Sequence, residues 1–299
     1  MGTQQNLVKI ERNERFFKNS LWVAATAVCL VLVGVFVTLF GQSFLSLTTF
    51  GSSFLVTGVW DPVREVFGAW SFLVGTLLTS VLALLISLPF SFALAICLGH
   101  YVKEGFVASV LNSTIDLLAG IPSVIYGFWG LFVLVPLVRQ FELWIGVTSS
   151  GVGIFTASLV LAVMIIPYSA TMSREVIGLV PDDLKEAALS LGATPYEVVK
   201  TVVIPYSKSG IFAGVLMSFG RAISETMAVT MLIGNVNKTP LSIFRPANTL
   251  ASVIANEFAE TSAPLHLSSL IELALVLFFV TALFSLAGRF IIKKWVVPV

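Results

Sequence analysis

Residues 21–40 pass through twenty positions without one charged side chain. A helix of that length spans about 30 Å, the hydrocarbon thickness of a bilayer, and a water-soluble fold has no use for so long an unbroken run. Further runs follow at 70–98, 107–138, 152–172, 209–234 and 268–292. In lipid each backbone N–H and C=O must be paired by the protein itself, and runs of this length are answered by helices. The expectation is an all-α membrane protein with six transmembrane helices. Its composition fits, with 57% hydrophobic and 11% charged residues among 299, far from soluble usage.

Lys9, Arg12, Arg15 and Lys18 precede the first run. A secretory signal also begins with positive charge, but its apolar core is shorter, so residues 1–20 read as a polar tail and 21–40 as an uncleaved span. Six spans put both termini on one side. That side, together with the turn at 100–106 and the loop at 173–208, holds twelve of the seventeen Lys and Arg residues, while the other holds Arg64, Arg139, Lys238 and Arg245. The excess assigns both termini and the 173–208 loop to the cytoplasm, in a multi-pass membrane protein. On the far side, Leu250, Val253, Ile254 and Phe258 fall at helical spacing, an amphipathic helix lying on protein or at the interface.

Several function classes drop out. A net charge of +1 offers no basic surplus for nucleic acid. Cys29 and Cys97 lie in apolar runs without paired spacing, which removes disulfide and metal readings, and the lone His100 and His266 read as solvated. There is no Gly-Lys dipeptide, hence no Walker A loop to bind ATP, and no nucleophile, acid–base or metal set that would make the chain an enzyme or give it a cofactor.

Within 173–208, Pro181-Asp182-Asp183 places proline at a helix start and two acids in its first turn, where the helix dipole favours them. Leu184, Ala188 and Leu191 form one apolar stripe, with Lys185, Glu186 and Ser190 off it. Gly192 suits the left-handed residue that closes a helix. Thr194-Pro195-Tyr196-Glu197 then reads as a capping box. Two short helices should meet at one glycine, as a helical hairpin with or without a partner.

The run at 209–234 contains Arg221 and Glu225, four apart on one helical face where they can pair. Charge inside a membrane is costly, so such residues face a protein interior or a water-filled path. A guanidinium presents a planar fork suited to an oxyanion, and a neighbouring carboxylate can hold that fork between substrates. A structural ion pair is the plainer alternative. Gly210, Gly214, Ser218 and Ala222 supply a small residue every fourth position, so this run reads as a packed central helix. The run at 107–138 is interrupted by Gly120-Ile121-Pro122, either as a kink in one span or as a break between two segments. Where such a break lines a cavity, Ser123 and Tyr126 are candidate polar lining. Asp116 ranks below them, and Glu272, near the start of the last run, reads as interfacial.

Glu186-Ala187-Ala188, three residues, Gly192, nine residues and Val202-Val203-Ile204-Pro205 resemble the EAA loop of ABC importer permeases, with Val202 and Ile204 as conservative departures. Three further stretches resemble the PstC-type permeases of bacterial phosphate ABC importers. They are Phe67-Gly68-Ala69 with Gly75-Thr76-Leu77-Leu78-Thr79-Ser80, then Ile121-Pro122-Ser123-Val124-Ile125-Tyr126-Gly127-Phe128-Trp129-Gly130-Leu131, and finally Gly220-Arg221 to Glu225-Thr226-Met227-Ala228-Val229. Ser224 stands where glycine is expected more often. The likeness covers about residues 15–292.

The resemblance implies a type I ABC importer permease fold, a single permease domain over 21–299 with its core at about 70–292, and a cytoplasmic coupling loop at 173–208. It implies that Glu186, Ala187, Ala188 and Gly192 couple to a separate ATPase, and that Arg221, Glu225, Ser123 and Tyr126 line the path of inorganic phosphate. The implied partners are a PstA-type second permease, a dimeric PstB-type ATPase that binds the ATP, and an extracytoplasmic phosphate-binding protein. An importer of a different oxyanion shares these features. An ion-coupled secondary anion transporter, with Glu225 or Asp116 relaying protons, or a membrane scaffold, would have no use for the EAA loop.

Overall fold

The structure is a computed structural model that describes the backbone of residues 2–147 and 150–295 and the side chains of residues 14–147 and 150–294. Helix α1 (Gly2–Gln42) leads into a small hairpin of α2 (Phe44–Phe50) and α3 (Ser53–Val56). After α4 (Trp70–Ile96) come α5 (Phe106–Gly120), α6 (Ser123–Trp129) and α7 (Val135–Trp144), then α8 (Ile154–Gly178). The 173–208 loop holds α9 (Asp182–Ser190) and α10 (Pro195–Val198). The chain closes with α11 (Ile204–Ser224), α12 (Met227–Leu232), α13 (Leu250–Glu257) and α14 (Pro264–Trp295). Single π-helical turns at Cys97–Tyr101, Gly130–Leu134 and Val199–Val203 join neighbouring pieces.

Among the described residues, six helical stretches are long and apolar enough to cross a bilayer: Glu14–Gln42, Trp70–Tyr101, Ser123–Trp144, Ile154–Gly178, Pro195–Ser224 and Pro264–Lys294. The third resolves the ambiguity at 107–138. Helix α5 is a separate shorter piece, and the span proper starts after Pro122. Helix α1 leaves its apolar side chains exposed, Trp22 at 66% and Val31 at 66%, as a helix does when its solvent is lipid. It touches α14 through Phe36, which packs on Phe278 and Phe279.

The centre of the bundle is α8, not the 209–234 run. Of the apolar stretch of α8, 67% is buried, against 28% for the span that contains α11. The reason lies in its two neighbours. Helix α4 presents Ser71, Gly75, Thr79, Ala83, Ser87, Ser91 and Ala95, all buried and each four residues from the last, a stripe of small residues against which a second helix can lie closely. Ser158 of α8 donates to the Thr79 carbonyl at 3.1 Å. From the other side comes the small stripe of α11. A Cβ at Gly210 would collide with Val176, and Ser218 donates to the Ile165 carbonyl. The small residues at 210–222 thus mark α11 as a neighbour of the centre.

At the end of the bundle away from the 173–208 loop, Trp60, Phe67, Phe72, Leu250, Val253, Leu270 and Leu273 share one apolar cluster. Helix α13 therefore lies on protein, with Leu250 and Val253 fully buried and Phe258 half in solvent. His266 is not solvated. It stacks on Phe67 and meets Glu257 Oε2 at 2.9 Å and Thr261 Oγ1 at 2.8 Å. The aromatic wall holds the ring and its two nitrogens find partners, which a lone histidine in a loop sequence does not reveal.

Candidate functional site

Helix α5 stops at Gly120 because Pro122 has no N–H and pushes Ile121 into the extended region, φ −69° and ψ 126°. The last carbonyls of α5 then lack helical partners. Two tyrosines supply them. Tyr126 Oη donates to the Leu118 carbonyl at 2.8 Å, and Tyr168 Oη, from α8, donates to the Ala119 carbonyl at 3.3 Å.

A second break, which the sequence reading treated as continuous helix, lies in the 209–234 run. Helix α11 ends at Ser224, Glu225 is extended at φ −69° and ψ 128°, and α12 restarts at Met227. Ser224 Oγ turns back to the carbonyls of Gly220 and Arg221 at 3.1 and 3.2 Å. The restarted helices α6 and α12 pack on each other. A Cβ on Gly127 would lie 2.6 Å from Met231 Sδ and 3.2 Å from Ala228 Cα. Gly127 is the fifth residue of α6, and Ala228 and Met231 are the second and fifth of α12, so the two helices meet within the first turns after their breaks.

Arg221 sits on the last turn of α11, directly before the second break. Its guanidinium carbon lies 4.3 Å from the centre of the Tyr168 ring, and its buried Nε makes no hydrogen bond. Tyr126 and Tyr168 close adjacent carbonyls at the end of α5, and Arg221 lies against the Tyr168 ring. The structure thus groups Tyr126, Tyr168 and Arg221. Ser123 begins α6 one turn before Tyr126 and is half-buried.

The expected Arg221–Glu225 pair is absent. The ion pairs among the described residues are Arg64–Asp61, Lys103–Asp182, Lys185–Asp182 and His266–Glu257. The cause is the break itself. Glu225 no longer follows Arg221 on one helix face, and its Oε1 accepts the Ala228 N–H at 3.3 Å, at a helix start where N–H groups lack internal partners and negative charge is favoured. Two hollows flank the first break: one of 290 Å³ beside Tyr126, Trp129 and Val163, and a wider one of 630 Å³ beside Asp116, Gly120 and Pro122.

Tyr168 escaped the sequence reading. Its signal was there, since Pro167-Tyr168 puts a phenol and a missing N–H together inside the fourth apolar run.

In the 173–208 loop, Gly192 takes φ +88° and the Thr194–Glu197 capping box forms, with the Thr194 N–H 2.7 Å from Glu197 Oε2. The expected sidedness of this helix is reversed at three positions. Lys185 is buried and donates to Asp182 Oδ1 at 2.9 Å, while Leu184 and Leu191 face outward at 44% and 90% exposure. Only the Ala188 part of the stripe packs inward, on the cluster of Ile177, Val180, Val198 and Val203. Glu186 and Ala187 are exposed. An uncovered leucine at the glycine corner lies next to three of the four expected coupling residues.

Comparison with known proteins bears on this arrangement. A family model described as binding-protein-dependent transport system inner membrane component matches residues 87–296. A Haemophilus influenzae protein named phosphate transport system permease protein PstC is 41% identical over 296 residues, covering 94% of this chain and 93% of its own. A Pasteurella multocida protein of the same name is 43% identical, covering 94% and 92%. A probable PstC of Methanocaldococcus jannaschii is 33% identical over 263 residues, covering 82% and 83%. Among solved structures, the MetNI methionine ABC transporter in an inward-facing conformation superimposes with a TM-score of 0.59 at 19% identity, covering 80% of this chain and 100% of that one. That likeness is one of fold.

Proposed function

The chain belongs to the binding-protein-dependent transport system inner membrane components, and within them to the PstC phosphate permeases, and from that premise we propose how it works as the permease subunit of an ATP-driven importer of inorganic phosphate. It forms half of the translocation path and carries no nucleotide site of its own. The path runs along the two adjacent helix breaks, and Arg221 is its anion-binding group, with Tyr126 and Ser123 as polar lining.

The observation that carries this reading is the buried, unpaired Nε of Arg221. A buried donor without an acceptor costs about 1–3 kcal/mol, more when charged, and a tetrahedral oxyanion arriving at the break supplies the acceptor. Glu225 acts differently from the sequence expectation. It holds the start of α12 and so keeps the break open, instead of clamping the guanidinium.

The 173–208 loop is the coupling element. Leu184 and Leu191 expose apolar surface that α9 does not cover with its own chain, and a separate ATPase subunit at Glu186, Ala187, Ala188 and Gly192 buries it. The asymmetry of Lys and Arg supports a cytoplasmic position for this loop and both termini, and we take the membrane to be a bacterial inner membrane. A PstA-type second permease completes the path, a PstB-type ATPase dimer docks below, and a phosphate-binding protein delivers substrate on the far side.

Reconstitution into vesicles tests the reading. Uptake of phosphate should require the ATPase, ATP and this chain together. Uptake driven by an ion gradient without the ATPase would overturn it in favour of a secondary transporter.

A further inference from the structure

Helix α14 carries a carboxyl deep in an apolar wall. Glu272 is 3% exposed, its Oε2 is buried without a hydrogen-bond partner, and it forms no ion pair among the described residues. Its polar neighbour is the Ser46 hydroxyl of α2, which also bonds to Ser269 at 3.0 Å. Glu272 is therefore not interfacial in the sense its sequence position suggested. The α2–α3 hairpin folds over it.

This residue lines a cavity of 640 Å³ enclosed by α2, α3, α4 and α14. The cavity shares no residue with the hollows at the helix breaks. Its mouth lies among exposed apolar side chains, Val56 at 71%, Trp70 at 46% and Phe279 at 54%, so it opens sideways on the apolar flank of the bundle. Trp70 starts α4, and an indole at a span terminus marks the headgroup level.

A carboxyl removed from water requires a proton or a cation, and none of the described residues brings a cation to it. The occupant that satisfies the site has an apolar body, enters from lipid and ends in an N–H-bearing cation. A transmembrane helix is about 10–12 Å across and would cover the mouth instead of filling the hollow, whereas a single acyl chain with a small headgroup is slim enough to enter. We propose that this cavity binds an aminophospholipid of the phosphatidylethanolamine type, with its ammonium against Glu272 and an acyl chain along Val276 and Phe279. The lipid then ties the α2–α3 hairpin to α14, away from the substrate path.

The test uses the assembled complex, washed in detergent and equilibrated with vesicles of phosphatidylethanolamine, phosphatidylcholine or phosphatidylglycerol, with bound lipid counted by mass spectrometry. Phosphatidylcholine keeps the positive charge but has no N–H, and phosphatidylglycerol has neither. The complex should retain phosphatidylethanolamine over the other two. Glu272→Gln, which keeps the shape and removes the charge, should lose the preference. Val56→Trp, at an exposed position of the mouth, should lose the bound lipid with the melting temperature of the lipid-free protein unchanged. No retained lipid, equal retention of all three headgroups, or an undiminished preference in Glu272→Gln overturns the proposal. So does cross-linking of Val56→Cys to the second permease instead of to a photoreactive phosphatidylethanolamine, since that makes the cavity a protein interface.

Discussion

The Arg221 guanidinium stacks on the Tyr168 ring at 4.3 Å, while the hydroxyl of the same tyrosine closes the end of α5 by donating to the Ala119 carbonyl. One side chain thereby ties Arg221 to the helix break beside it. Lysine at position 221 would keep the charge but lose the planar fork and the stacking face. A lost charge-assisted hydrogen bond is worth about 1.5–3 kcal/mol, so Arg221→Lys should lower phosphate uptake by about tenfold or more with assembly intact. Exchanging the two charges, Arg221→Glu with Glu225→Arg, should not restore uptake, because the two side chains are not partners. Full recovery in that double variant, measured with co-purification as the control, would sink the assignment of Arg221 to the path.

Tyr168→Phe separates the two roles of that ring. It keeps the aromatic face under Arg221 and removes the donor to Ala119. The expected outcome is a loss of about 0.5–1.5 kcal/mol of stability with uptake retained, read from thermal melting beside vesicle transport.

Gly192 stands at φ +88°, with nothing within 4 Å of the position a Cβ would take. Space is therefore not the constraint there; the backbone is. A β-branched residue is strained in the left-handed region, and Gly192→Val should cost more than the roughly 1 kcal/mol of an ordinary left-handed L residue, while Gly192→Asn should be tolerated. Leu191→Asp, at an exposed site, should leave melting unchanged and abolish capture of the ATPase. Normal capture and normal uptake in both Gly192→Val and Leu191→Asp would refute the docking role of this corner.

The membrane spans were legible because lipid imposes its demand on composition, and the 173–208 hairpin was legible because capping residues act locally. Of the two helix breaks, Pro122 announced the first. The second has no such mark. Nothing in Ile223-Ser224-Glu225-Thr226 forbids a helix, and the turn forms through Ser224 bonding back to Gly220 and Arg221 and through Thr226 Oγ1 on the Ser224 carbonyl at 3.3 Å. Serine and threonine can compete with the helix in this way without being obliged to. Continuous helix was the natural reading, and the Arg221–Glu225 pair followed wrongly from it. The centrality of α8 was hidden for another reason. Hydropathy scores a lipid-facing leucine and a protein-facing one alike, and what surrounds α8 is written in the small stripes of its neighbours α4 and α11.

Asp182 joins the 100–106 turn to the 173–208 loop. Its Oδ1 accepts from Lys185 at 2.9 Å and Lys103 at 3.2 Å, and those two ammonium groups hold its carboxyl below the ordinary value of 3.8. A lowered folded-state value means that the contribution is complete above the ordinary carboxylate range and is lost as pH falls through the lowered value. The protection of α9 amides, taken relative to their intrinsic exchange rate at the same pH, should therefore fall at acid pH in the intact protein, and at neutral pH in Asp182→Asn, with high salt narrowing the difference. Exchange in α9 that is indifferent to both changes would show that the two lysines do not hold the loop.

Glu257 gathers the far end of the bundle. It accepts from Trp60 Nε1 at 2.8 Å and Asn237 Nδ2 at 2.9 Å, and meets His266 Nε2 at 2.9 Å, so it joins α13 to the segment before α4 and to the start of α14. Removing a partly buried carboxylate leaves these groups unpaired, and Glu257→Ala should loosen α13 by about 1–3 kcal/mol, seen as faster hydrogen exchange between Leu250 and Glu257. The inward commitment of Glu257 also decides where the phosphate-binding protein is to be sought. A probe at Asn256 or at the exposed Phe258 leaves the cluster intact and should cross-link to that protein from outside the cell. Labelling of the same positions from the cytoplasm alone would reverse the topology on which the delivery route rests.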